Sequence, residues 1–246
     1  MPATNFGVFM STPPESFHLL RCENLFELAN AKELGIPPEV VAFLKAANFP
    51  WNALGKALTE FVRQTIAAIP AEQRHAGTIS PHAVLENPDD IVVCEGAIIE
   101  PHAFVSGPTF LAPGAIVRHG AYVRGSVYAC SGSVIGHTSE LKGAIMLPKA
   151  KAAHFAYVGD SILGVDTNLG AGTKLANLRL DHGLVPIVFG ETREATNLKK
   201  FGAIFGNRAQ TGCNSVTNPG TILLPDTFML PNSTGRGVIE RKLPRH

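Results

Sequence analysis

His154 is the side chain in this sequence best suited to move a proton near neutral pH, because an unperturbed imidazole titrates there. It stands near the head of the run 153–177, A-H-F-A-Y-V-G-D-S-I-L-G-V-D-T-N-L-G-A-G-T-K-L-A-N. Tyr157, three residues on, and Asn168 offer directional hydrogen bonds. Lys142 lies twelve residues before His154, and its ammonium suits an anion. Glu140 shares that stretch and could orient Lys142 or a ligand. Each type also has a plain structural use. A histidine or lysine at a corner can simply be solvated, and an asparagine at a turn tolerates left-handed backbone. What they do depends on whether the fold gathers them.

The fold that must position them shows in a six-residue period. Leu163, Leu169 and Leu175 are each six apart. Counted in sixes from Val93, the first positions are Val93, Ile99, Val105, Leu111, Val117, Val123, Ala129, Ile135, Leu141, Leu147 and Ala153. The fifth positions are Ala97, Ala103, Thr109, Ala115, Ala121, Val127, Ser133 and Ser139, then Ile145 and Lys151. A large aliphatic and a small residue at fixed phase describe the inside of a stacked-coil prism, which neither a helix nor a flat sheet produces. After an excursion at about 176–202 the sixes resume at Phe205, Thr211, Thr217, Leu223 and Met229. Ala209, Ser215, Thr221, Thr227 and Ser233 take the small position there.

Residues 1–78 obey a different grammar. Thr12 can cap a helix with Glu15 three residues on, and Phe17, Leu20, Leu25 and Leu28 follow at rough helical spacing as far as Gly35. Pro37-Pro38 opens a second helix through Val40, Val41, Phe43 and Leu44. Pro50 opens a third, with Leu54, Leu58, Phe61, Val62 and Ile66 as its apolar stripe, and Pro70 closes it. Such stripes pack against a core. The reading is therefore a mainly β chain: a helical region at 1–78, a solenoid at 79–235 and a tail at 236–246. That tail carries Arg236, Arg241, Lys242 and Arg245.

Composition narrows the function classes. The chain has 246 residues, 45% hydrophobic and 17% charged, enough for a buried core. Net charge is +1 without acidic or basic runs, which points to neither nucleic acid nor a membrane surface. The four cysteines are scattered, as expected of a reduced, cytoplasmic protein. The first residues read neither as a signal peptide nor as a membrane span.

The repeats resemble those of the left-handed parallel β-helix acyltransferases, and most closely the C-terminal half of sugar-1-phosphate nucleotidyltransferases. That group includes the bifunctional N-acetylglucosamine-1-phosphate uridyltransferase/glucosamine-1-phosphate acetyltransferase. The likeness covers about 98–232 and is carried by Leu111-Ala112-Pro113-Gly114-Ala115, Glu140-Leu141-Lys142, His154-Phe155-Ala156-Tyr157-Val158-Gly159-Asp160, Asn168-Leu169-Gly170-Ala171-Gly172-Thr173 and Ala176-Asn177. Lys200–Gly206 and Asn218-Pro219-Gly220 resemble archaeal-type members. Even the five-residue step from Val158 to Leu163 agrees.

The resemblance implies transfer of an acyl group, acetyl in the first instance, from acetyl-CoA to an amino sugar or sugar phosphate in nucleotide-sugar metabolism and cell-envelope biosynthesis. It implies a homotrimer and no required metal. It gives His154 the role of general base, makes Glu140, Lys142, Tyr157 and Asn168 substrate contacts, and sets Ala171, Asn177 and Cys213 beside the donor. Small residues there would leave backbone amides free for the pantetheine arm. Two departures stand out. No Gly-rich nucleoside-triphosphate loop occurs, so no nucleotidyltransferase activity is expected from these residues. The phosphate-binding arginine that should precede P-G-A is Ala112, and the Asn-Tyr pair near the excursion is Asn177-Leu178.

Two other readings compete. One is a non-catalytic trimeric module that partners a separate nucleotidyltransferase. The other is a metal site of γ-carbonic-anhydrase type, because His119 and His137 are eighteen apart and should stack. His102, His119, His137 and His154 share no single phase in the count of sixes, which weighs against convergence on a metal.

Overall fold

The computed structural model describes residues 15–240. Short parallel strands stack on three faces to make a β-solenoid, with helices packed along one side. The first face runs from Thr78–Ile79 up to Phe228–Met229, as an 8-stranded parallel sheet. The second runs from Val84–Glu86 to Thr234–Gly235, and the third from Ile91–Val93 to Val238–Ile239. Strands Glu140–Met146 and Tyr157–Leu163 turn a corner and serve the second and third faces together.

The interior follows the six-residue period until Leu141 and then departs from it. The count placed Leu147 and Ala153 inward; the residues inside are Met146 and Ala152. Ala144 and Ala150, rather than Ile145 and Lys151, take the small positions. The reason lies at the corner between the second and third faces. Two left-handed residues, Gly125 and Ser126, turn it in the coil below, whereas Gly143 alone and then Asp160 alone turn it in the next two. Each of those coils is one residue shorter: Ile135 is in register with Ala152, and Ala152 with Leu169, seventeen residues apart each time. The step from Leu141 to Met146 therefore matches the later one from Val158 to Leu163.

The third face is apolar on its outer side as well. Val92, Phe110, Tyr128, Ile145, Ile162, Ile204 and Ile222 point away from the prism axis yet are buried, with Leu147 among them. The N-terminal helices cover them. After a 3-10 turn at Glu15–Leu20 come α1 (Cys22–Leu25), α2 (Pro38–Ala47) and α3 (Lys56–Ala67). Pro50 does not open α3; it opens a separate 3-10 turn, Pro50–Ala53, and Gly55 at φ 64° breaks the path between them. Only glycine adopts such a turn freely, and the first expected helix is cut to α1 by extended Arg21 before it and left-handed Glu27 after it.

Along α3, Leu58, Val62 and Ile66 recur every four residues and are buried, each contributing about 1.5–3 kcal/mol by removal from water. Phe61 stacks on Phe43 at 4.2 Å and on Tyr128 at 5.4 Å. The Tyr128 hydroxyl donates to Glu39 Oε1 at 2.9 Å, so the one polar atom of that buried ring is satisfied.

The excursion holds a hairpin of Pro186–Phe189 with Thr192–Ala195. Val185 and Ile187 are buried in the same apolar layer as the helices, and Phe189 meets Phe17 edge-on at 6.2 Å. An antiparallel bridge from Leu178 to Lys200 closes its base. Val238–Ile239, read from sequence as tail, pairs with Ile222 and Leu223 as the last rung of the third face. The Thr12 cap and Arg241, Lys242 and Arg245 lie outside the described residues.

Candidate functional site

Four of the residues singled out from sequence meet on the second face. Glu140 and Tyr157 are register partners on adjacent coils, and Lys142 stands beside Gly159. Arg124 Nη1 donates to Glu140 Oε1 at 2.7 Å, so Glu140 holds Arg124 and not Lys142. Lys142 Nζ lies 3.3 Å from Asp160 Oδ2 instead. Asn177 Nδ2 donates to the same carboxylate oxygen and also bonds Tyr157. Asp160 is 6% exposed, and its charge is met by the ammonium and the amide together. Burial first, then the charges of Glu140 and Asp160, push the Tyr157 phenol above its ordinary value, so it stays a neutral donor.

Gly159 permits this arrangement. A Cβ there would lie 2.6 Å from Tyr157 Oη and 2.7 Å from Asn177 Nδ2. The phenol and the amide therefore fold over bare backbone.

His154 lies round the corner, at the end of a first-face strand. It is exposed, and among the described residues its ring makes no side-chain hydrogen bond. The count of sixes makes Ala153 the inward neighbour of His154; the inward residue is Ala152, and His154, at the end of the strand, is exposed. The coils stacked beyond it are lined by small residues. Gly172 N donates to His154 O at 3.0 Å, and Asn214 N donates to Ala171 O at 2.8 Å. That ladder sets Ala171 and then the exposed Cys213 in line with His154. Gly170 has no room for a side chain, since its Cβ would sit 2.4 Å from Gly212 C.

Not every residue joins these groups. Asn168 pairs with Lys151 and Gln210 on the first face, away from the second-face cluster that holds Tyr157. Asn177, expected beside the donor, is part of the Asp160 cluster. Ala112 lies beneath the helices, 5% exposed. On the solenoid side of a cleft that Lys142 lines, the arginine is Arg124, eighteen residues before it. Sequence reasoning missed Arg124 and Asp160. The first was legible as one coil's spacing from Lys142, and the second only as the last letter of the run from His154.

The histidines stack further than the sequence implied. His82, His102, His119 and His137 form a column with ring centroids 5.9, 5.3 and 5.6 Å apart, and Phe155 continues it at 5.4 Å. His137 and His154 do share a phase, since the shortened coil makes them register partners. Yet the described residues contain no group of three or more His, Cys, Asp or Glu placed to hold a metal ion.

No protein-family model matches the chain. Individual relatives do. The bifunctional protein GlmU of Methanococcus maripaludis is 32% identical over 193 residues, which is 78% of this chain and 44% of that protein. The bifunctional sugar-1-phosphate nucleotidylyltransferase/acetyltransferase of Sulfurisphaera tokodaii is 38% identical over 77 residues, 31% of this chain and 19% of that protein. The chain belongs with these hexapeptide-repeat proteins. It spans less than half the length of the curated relatives it matches. Its solenoid carries a helical layer that seals the third face. No helix among the described residues is long and apolar enough to cross a membrane.

Proposed function

We propose that this chain transfers an acyl group, acetyl in the first instance, from acyl-CoA to an amino sugar or sugar phosphate. The observation that carries this reading is the position of His154. Its imidazole stands exposed, without a side-chain hydrogen bond among the described residues, with a wall of small residues on the coils beyond it and a polar cluster round the corner. In the reaction the acceptor nitrogen attacks the thioester carbonyl carbon. A C–N bond forms, the C–S bond breaks, and the N–H proton passes to His154 and from its imidazolium to the departing thiolate, so that the coenzyme leaves as its thiol. A hydroxyl acceptor would follow the same course with a C–O bond.

The geometry supports the remaining roles as follows. Tyr157, held neutral, can donate to an acceptor hydroxyl, and Lys142 with Arg124 can face an anionic group. Ala171 and Cys213 would flank the donor arm. Asn168 would contact an acceptor only across the corner from Tyr157. A homotrimer is part of the proposal, since both groups are open to a neighbouring prism. The name of the Sulfurisphaera tokodaii relative, a bifunctional nucleotidylyltransferase/acetyltransferase, supports acetyl transfer.

The test is a screen of amino sugars and their phosphates with acetyl-CoA, read as thiol release. Turnover with at least one member supports the reading. A purified chain that neither binds acetyl-CoA nor releases thiol with any of them would leave it as an assembly module for a separate nucleotidyltransferase.

A further inference from the structure

We propose that α3 supplies half of the acceptor's anion subsite, through Lys56 and Arg63. A cleft of about 470 Å³ opens between α3 and the corner of the second and third faces. Its prism side carries Arg124, Lys142 and Asp160, and its helix side carries Lys56, Glu60 and Arg63. Thr59 Oγ1 lies 2.8 Å from Ser126 Oγ, which pins α3 against that corner and fixes the width of the opening.

The charges on the two sides do not cancel. Glu140 takes Arg124, and Asp160 takes Lys142. Glu60 accepts from Gln64 Nε2 at 3.0 Å, along the helix. Lys56 and Arg63 are seven residues apart on one helix face and are exposed, and among the described residues neither joins an ion pair or a side-chain hydrogen bond. Four cations, Lys56, Arg63, Arg124 and Lys142, thus line the cleft against two carboxylates, Glu60 and Asp160, and Glu60 forms no ion pair with either helix cation among the described residues. A concave site with that balance concentrates positive potential and suits a doubly charged phosphate better than a single carboxylate. Arginine would grip two oxygens while lysine acts as a point charge.

The proposal rests on the reading of Lys142's cleft as the place for the acceptor's anionic group. It adds that the chain's own N-terminal helix, and not the solenoid alone, selects phosphorylated acceptors. Because α3 is fixed to the prism by buried Leu58, Val62 and Ile66, its cations are held in place rather than tethered loosely.

The experiment is calorimetric titration of inorganic phosphate and of a hexosamine 1-phosphate into the whole chain at low salt. Wild type, Lys56→Ala, Arg63→Ala and the double variant are compared, with Arg63→Lys as the conservative control. Each single change is expected to weaken phosphate binding about tenfold, the double change more, and Arg63→Lys to keep part of it. Free hexosamine should bind all of them alike. Melting temperatures should stay together, since both side chains are exposed. Equal phosphate affinity in wild type and double variant would overturn the proposal, as would no phosphate binding by wild type at low salt. The parent reading fails differently: phosphate binding that needs Lys56 and Arg63, without any acyl transfer, would sink the transferase and leave this subsite standing.

Discussion

His137 and His154 are register partners on adjacent coils, yet their imidazoles have different fates. His137 has Nδ1 3.0 Å from the His119 carbonyl and sits in the aromatic column. His154 has no such bond among the described residues and stands exposed. Replacing each with alanine therefore separates position from chemistry. His154→Ala should lower turnover about a hundredfold to ten-thousandfold, with stability unchanged within about 0.5 kcal/mol. His137→Ala should leave turnover within a few fold. Steady-state kinetics beside a thermal melt reads both. If His154→Ala turns over like wild type on the true acceptor, the base assignment is wrong.

Lys142 and Asp160 should act on binding more than on chemistry. Lys142→Ala should raise KM for the acceptor with a smaller change in kcat, because the ammonium contacts the ground state as much as the transition state. Asp160→Asn should weaken acceptor binding too, since it loosens both Lys142 and Asn177. It should also cost stability, on the order of 1–3 kcal/mol for a buried polar network left half satisfied. A pure kcat effect in Lys142→Ala would argue for a role at the reacting atoms instead.

Cys213 tests the donor wall. It is exposed, whereas Cys130 is fully buried and Cys22 is buried with its thiol pushed up to about 12. Iodoacetamide needs a thiolate and access, so it should label Cys213 in the native protein and reach Cys22 and Cys130 only on unfolding. Saturating acetyl-CoA should slow labelling of Cys213. Labelling indifferent to acetyl-CoA would move the donor away from this column.

The corrected phase of the interior makes a further prediction. Ala144 is fully buried in the corner of the prism, one residue before Ile145, to which the count of sixes had assigned that place. Ala144→Leu should overpack the coil and cost about 1–3 kcal/mol in denaturant unfolding. Lys151→Leu should cost little, because Lys151 is exposed. The reverse order would restore the unbroken six-residue count.

These cases show what the sequence made legible. Stacked coils were readable because the interior of a prism repeats its demand for a large and a small side chain at every turn. Met146 and Ala152 were not, because a corner turned by one left-handed residue looks in sequence like any other Gly or Asp. The same slip hid the pairing of His137 with His154. Glu140, Lys142 and Tyr157 were legible as a group through the resemblance. Their partners were not, since a carboxylate's choice between Arg124 and Lys142 depends on which coil it faces. The helical layer was seen as packing stripes, but nothing in residues 15–67 says which face of the prism they cover.

That layer bears on assembly, the last prediction. The third face is sealed by helices and hairpin, so a neighbouring copy must use the other two faces or the corner between them. Large apolar side chains are exposed there: Ile98 and Leu230 belong to the first-face side, Tyr122 to the second, and Phe155 to the corner beside His154. Phe155 is 55% exposed and would gain most from burial. A homotrimer should therefore have a mass near 78 kDa, three times the 26.1 kDa of one chain, by light scattering at micromolar concentration. Phe155→Glu should shift it toward monomer, because a charge would replace an apolar contact at the centre of the interface. Turnover should fall with assembly if a neighbour completes the cleft at His154. A stable monomer in the wild type would remove the trimer, and a trimeric Phe155→Glu variant would place the interface elsewhere.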